Sequence, residues 1–288
     1  MMLLSNIADG LVIGSSYVLI ALGVTLIFGI VDVVQIAHGE VYMIGAFVAL
    51  FCVNSLHLNY LLAIVITMAI LAIFGVILEE GVFRWLRGRP HLPVILAAFG
   101  LSMVLANGTR LIMGGESYAI KSPLRNEMVR LGFYVINAQR LLVVLVAAGL
   151  TVCLFLFMNK TRLGMAMRAV AQDRDAADLV GIEANRIFMA AFAVASALAA
   201  AAGSLVGPVF LVNPAMGFMP FLKSFVVVLF GGVGSVAGSI IGGLILGVME
   251  TLGAAYVSTE YKDAVAFALL IVVLLFKPSG LFGRKTSS

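Results

Sequence analysis

Two apolar runs without a charged residue, 141–158 and 187–211, enclose the most highly charged stretch of the chain, 159–186. That stretch reads NKTRLGMAMRAVAQDRDAADLVGIEANR and carries Lys160, Arg162, Arg168, Asp173, Arg174, Asp175, Asp178, Glu183 and Arg186. Each charge held at the centre of a bilayer costs at least about 2.5–3.5 kcal/mol. A segment this polar belongs in water, and the runs beside it read as membrane spans. Within it, residues 165–179 contain good helix formers and neither Pro nor Gly, and Gly181 follows as a natural stop. The residues predict a short helix over 165–180, outside the hydrocarbon and parallel to the membrane plane. Such a loop is either a solvated connection or a docking surface, and the residues alone leave both open.

The rest of the chain obeys the same rule. It is 62% hydrophobic and 11% charged, with a mean hydropathy of +1.15, outside the range of soluble domains. The apolar runs are continuous, which excludes the alternating strands of a membrane β-barrel. At about 20 residues per span the length accommodates roughly eight spans and short loops. The expectation is a single all-α, polytopic transmembrane domain over 1–288, with no room for a soluble domain. Spans are expected over 10–31, 41–54, 61–78, 92–109, 141–158, 187–206, 236–255 and 261–276. Residues 221–230 are apolar but too short to cross alone, and read as a broken or re-entrant segment. The first apolar run is long and no basic region precedes it, so no cleavable signal is expected. Cys52 and Cys153 lie in apolar runs and read as small buried hydrophobes.

Basic residues suggest the topology. Arg84, Arg87 and Arg89 in the charged loop over 79–91, the 159–186 loop, and a tail with Lys277, Arg284 and Lys285 are expected on one, inner side. Lys121, Arg125 and Arg130 fall on the other side, so the bias is weak. The net charge of +4 sits in loops and speaks to topology; nucleic-acid binding is not expected.

Enzyme motifs are absent. No GxxxxGK[ST] phosphate loop occurs, and His38, His57 and His91 are scattered without ligand-like pairing, so no metal site is expected. If ATP drives this protein, another chain hydrolyses it. Intramembrane ionisable groups are few: Asp32, His38, Glu40 and Glu250. Such groups face a cavity or a partner. His38-Gly39-Glu40 falls where the first apolar run breaks, which predicts an irregular turn over 37–39 inside the membrane boundary. That turn either lines a substrate path or is an interfacial loop. Gly234, Gly238 and Gly242 recur every four residues, and Gly243 and Gly247 repeat the pattern one position over. Small residues at this spacing let helices approach closely, as a static contact or as a seam that slides.

The opening GSSYVLIALGVTLIFGIVDVVQIAHGEVYMIGAF resembles the membrane permeases of branched-chain amino acid ABC importers. So do RAVAQDRDAADLVGI, FLKSFVVVLFGGVGSVAGSIIGGLILG and KPSGLFG, in the same order along nearly the whole chain. Asp175-Ala176-Ala177-x-x-x-Gly181 resembles the EAA-x-x-x-G core of many importer permeases, with Asp in place of Glu and the I-x-L-P ending missing. The resemblance implies two related permeases in a bacterial inner membrane. It also implies two cytosolic ATPases carrying ATP and Mg, and a periplasmic or lipid-anchored binding protein that delivers a small amino acid. Under it, the 159–186 loop becomes the cytoplasmic coupling helix, with Arg168, Asp173, Arg174, Asp175, Ala176, Ala177 and Gly181 against an ATPase. This chain itself binds no cofactor under that reading. Two other classes remain: a secondary transporter in which His38, Glu40 or Glu250 relays protons, and a structural scaffold indifferent to the charged loop.

Overall fold

The computed structural model describes residues 2–131, 134–277 and 280–282. Arg284 and Lys285 of the basic tail lie outside the described residues. Among the described residues, six helices are long and apolar enough to cross a membrane: Ser5–Val31, Tyr60–Leu86, His91–Met113, Ala138–Lys160, Ala184–Val206 and Val236–Tyr256. His38–Asn54 and Phe218–Gly231 are apolar but shorter. The roughly eight expected spans thus resolve into full crossings and part-crossings.

In chain order the helices are α1 (Met2–Val31), α2 (His38–Asn54), α3 (Tyr60–Leu78), α4 (Arg84–Leu86), α5 (His91–Met113), α6 (Ala138–Lys160), α7 (Arg162–Gln172), α8 (Arg174–Leu179), α9 (Ala184–Val206), α10 (Phe218–Gly231), α11 (Val236–Tyr256) and α12 (Lys262–Phe276). The 114–137 connection adds a small antiparallel hairpin, β1 (Met128–Leu131) and β2 (Tyr134–Asn137), to the expected all-α fold, with Met128 opposite Asn137. A buried relay ties this connection down. Ser122 donates to Gln139 at 2.7 Å, Gln139 donates to Tyr60 at 2.9 Å, and Tyr60 donates to the Ser204 carbonyl at 2.9 Å.

The charged loop expected over 79–91 is mostly helix. After α3 the chain continues through a π-type turn, Glu79–Phe83, into α4, and only residues 87–90 form the connection. The physical reason is that Glu79 is fully buried against Arg87 and needs no water.

α1 and α9 form the centre. α10 and α11 pack on α1, and α2 and α3 pack on α9. Both central helices are buried on most sides, as a helix apolar all round should be. α3, α5 and α6 instead turn large apolar residues outward, among them Val65, Ile73, Leu96, Val104, Leu145 and Phe155. Hydrocarbon is a suitable solvent for such faces. Cys52 is buried, but Cys153 lies on the outward face of α6, correcting the expectation for that thiol.

Glycine sets the closest approaches. α11 has two glycine faces: Gly238 abuts Gly231 and Gly242 abuts Phe230 and Val227, all on α10, while Gly243 and Gly247 abut Val18 and Gly14 of α1. Gly234, expected on the same seam, precedes α11 and turns the chain with φ +76°.

The break after α1 is longer and earlier than the expected turn over 37–39. Asp32 takes a left-handed conformation, φ +56°, and residues 32–37 are non-helical. Aspartate tolerates that conformation better than most residues. Gly39 is already inside α2, because its role is contact and not bending. A side chain there would meet the Gly217 carbonyl and Phe221. The His38 ring packs against Gly23 of α1 and near the Ala195 carbonyl, midway along α9. Gly23 is about 12 Å from the end of α1 at 1.5 Å per residue, so α2 begins deep in the bundle.

Candidate functional site

Two part-length helices start at the same place. Gly39 near the start of α2 and Gly217 at the N-cap of α10 lie back to back, so the two N-termini meet inside the bundle. α2 runs from there toward Asn54, and α10 toward Gly231. Irregular backbone at membrane depth is tolerated where protein or a cavity surrounds it, and here Val33, Gln35, Ala37, His38 and Glu40 are all buried. The Glu40 carboxylate sits in the first turn of α2 beside Gly217 and accepts a hydrogen bond from Ser102 at 3.2 Å. The N-terminal ends of α2 and α10 both lie beside it. Asp32, by contrast, is exposed.

A cavity of about 460 Å³ lies one turn along α2 and α10 from this point, at Tyr42 and Pro220; His38, Gly39 and Glu40, expected on a substrate path, are not part of its lining. Ile20, Tyr42, Met216 and Pro220 line its depth, and exposed Phe210, Leu211, Thr259 and Lys262 rim its mouth. One wall is charged. Lys223 of α10 is buried and bonds Glu250 of α11 at 2.6 Å and Asp263 of α12 at 2.7 Å. Tyr17 of α1 donates to the other Glu250 oxygen at 2.8 Å. Glu250 was legible in the sequence as an intramembrane acid. Lys223 was not singled out, although it is the one cation in the sequence of α10 and therefore signals a partner.

The charged loop lies at the opposite end. The helix expected over 165–180 is two helices, α7 and α8, because Asp173 interrupts it. Asp173 is extended, and its side chain accepts from the Ala176 amide at 2.9 Å, capping α8. Gly181 ends the segment with φ +84°. Met167, Val170 and Ala177 are buried, anchoring the pair to the bundle. Asp175 and Ala176 are exposed, as are Leu179 and Val180, at 89% and 75%. Leu179 and Val180 give α8 an exposed apolar tip. Removing the cap in Asp173→Ala is expected to cost about 1 kcal/mol of local stability, read as faster hydrogen exchange over residues 176–180. Unchanged exchange there excludes a capping role.

The end of α3 and the start of α8 meet on α9, at Phe188, with Arg87 on one side and Arg174 on the other. Arg87 forms an ion pair with Glu79, donates to Asn185 at 2.5 Å and lies over the Phe188 ring at 4.4 Å. Arg174 lies over the same ring at 5.5 Å. Burial and then the neighbouring Arg174 push the Arg87 guanidinium down to about 10, which leaves it cationic at neutral pH. Beside it a groove of about 950 Å³ is lined by Asp32, Arg87, Arg89, Arg168, Arg174 and Gly234, among others. Arg168 also bonds Asn159. The structure therefore brings the 87–89 segment, α7, α8 and the Gly234 turn to one end. Phe282 of the tail lines the same groove. Glu79 and Arg87 were not legible as a site, since a buried partner cannot be read from a run of mixed charges.

Comparison with known proteins agrees with this architecture. The family model described as branched-chain amino acid transport system / permease component matches residues 6–274. BraD of Pseudomonas aeruginosa, a high-affinity branched-chain amino acid transport system permease protein, is 37% identical, covering 98% of this chain and 96% of its own. LivH of Escherichia coli K12, of the same description, is also 37% identical over 98% and 96%. LivM of Escherichia coli K12, another permease protein so described, is 25% identical over 92% of this chain and 67% of its own. No solved structure matches. The chain belongs to the family of branched-chain amino acid transport permease components and is a multi-pass membrane protein.

Proposed function

We propose that this chain is one of two related permease subunits of an ATP-driven importer in a bacterial inner membrane, moving branched-chain or other hydrophobic amino acids into the cytoplasm. The observation that carries the reading is the placement of the cavity. Its depth lies where α2 and α10 start, and its mouth lies away from the end that holds α7 and α8. In this reading a binding protein, periplasmic or lipid-anchored, delivers substrate to the mouth. Two ATPases bearing ATP and Mg grip the apolar tip of α8 at the cytoplasmic end, with Arg168, Asp173, Arg174 and Asp175 around it. The Escherichia coli relatives LivH and LivM, two permease proteins described alike, support a second, related permease as partner.

Mechanically, closure of the ATPases displaces α7 and α8. Arg87 and Phe188 carry that displacement to α3 and α9, and α9 packs on α2 and on α1. The start of α2, whose His38 is buried against α1 and α9, then shifts Tyr42 and with it the depth of the cavity. The family match favours this reading over a proton-driven carrier. The test is reconstitution of the chain with its second permease, ATPases and binding protein. Uptake of labelled leucine is expected only with ATP on the α7 side. Uptake by the chain alone under an imposed proton gradient overturns the proposal.

A further inference from the structure

We propose that the charged wall of the 460 Å³ cavity is a binding site for the zwitterionic head of an α-amino acid, with Lys223 taking its carboxylate and Glu250 its ammonium. This rests on the importer reading above and names a site in this chain for the cargo.

Tyr17, Lys223 and Glu250 all line the cavity, whereas Asp263 is not part of its lining. Lys223 and Glu250 are at most 5% exposed. A buried ion pair contributes little net stability, because removing two charges from water offsets their attraction. Inside a membrane, ionisable residues that face a cavity mark substrate or ion paths. The arrangement is also one that a zwitterion can enter without leaving a charge unpaired. Its carboxylate displaces Glu250 from Lys223, and its ammonium takes up the freed Glu250 carboxylate. Lys223 keeps Asp263 at 2.7 Å and Glu250 keeps the Tyr17 hydroxyl at 2.8 Å. The amino acid brings no net charge, so the balance of the cluster is unchanged.

Selectivity follows from the same exchange. A 2-oxo acid has no ammonium and would leave Glu250 facing its carboxylate. A simple amine has no carboxylate and would part Lys223 from Glu250 without a replacement. The remaining walls, with Ile13, Ile20, Val206 and Leu211, are mostly apolar and suit a branched aliphatic side chain, with Ser16, Asn213 and Thr251 among them. The volume falls within the range of small-molecule pockets, roughly 300–1,000 Å³.

The experiment uses the whole reconstituted transporter. A diazirine analogue of leucine, photolysed in the wild-type complex, is expected to label peptides of this chain from α10, α11 or residues 206–217. Excess leucine should suppress the label; 4-methyl-2-oxopentanoate and 3-methylbutylamine should not. Lys223→Met is expected to lower leucine uptake at least tenfold, and Lys223→Arg to restore most of it. If the wild-type complex transports leucine but the cavity is unlabelled, the site assignment fails alone. Equal suppression by the oxo acid or the amine also overturns it, as does uptake by Lys223→Met within twofold of wild type. If the wild-type complex transports no leucine, the importer reading fails and takes this site with it.

Discussion

An Arg87→Ala variant is expected to lose at least nine-tenths of its ATP-driven uptake and to destabilise the α7 end by about 3–5 kcal/mol. The reason lies in what the side chain leaves behind. Glu79 is fully buried, and Arg87 is the cation against it. Without Arg87 a carboxylate is stranded in a low-dielectric interior. The same deletion removes the donor to Asn185 and the cation over Phe188, two of the contacts joining the end of α3 to the start of α9. Thermal unfolding of the purified complex measures the first effect and reconstituted uptake the second. A double variant, Glu79→Gln with Arg87→Met, separates them. Replacing both members of a buried pair is often close to neutral for stability, so stability should return while uptake stays low. Normal uptake in Arg87→Ala would remove this link from the coupling route.

Gly203→Leu is expected to prevent stable assembly altogether. A Cβ added at Gly203 would lie 2.1 Å from the Tyr42 carbonyl oxygen, a backbone atom that cannot move aside. α2 and α9 would have to separate, and with them the His38–Glu40 start of α2. Overpacking a rigid site typically costs about 1–3 kcal/mol and sometimes more; backbone contact places this one at the upper end. Gly247→Leu should behave alike, since its Cβ would lie 2.4 Å from the Gly14 backbone. Gly100→Leu and Gly149→Leu are the controls, for nothing stands within 4 Å of either. The yield of monodisperse complex after extraction measures all four. Equal yields from Gly203→Leu and Gly149→Leu would contradict the close α2–α9 contact.

Hydropathy and charge along the chain already separate membrane segments from aqueous ones. Long uncharged runs leave water for hydrocarbon or for the bundle interior, and nine charges in 28 residues keep a segment in water. From this followed the helical membrane fold, the aqueous loop at 159–186, the Gly181 stop and the close-packed glycine faces of α11. These are properties of composition and spacing, which are local. The docking role of the charged loop narrowed only with the ordered resemblance along the chain, and the path role of His38–Glu40 stayed open.

Tertiary structure decided what depends on a partner distant in sequence. Lys223 reads as one charge in an apolar run until Glu250 and Asp263 are brought to it. Residues 79–86 read as a charged loop until Arg87 folds back on Glu79 and lets the helix continue. Gly39 reads as a hinge until Gly217 is placed against it, and then the bend belongs to Asp32. Asp173 reads as one more helix residue, although its side chain competes for the Ala176 amide and divides the helix in two. Each case has one cause. Hydropathy is a sum over neighbours along the chain, whereas a buried charge or a missing side chain takes its meaning from atoms that only the folded bundle brings within a few ångströms.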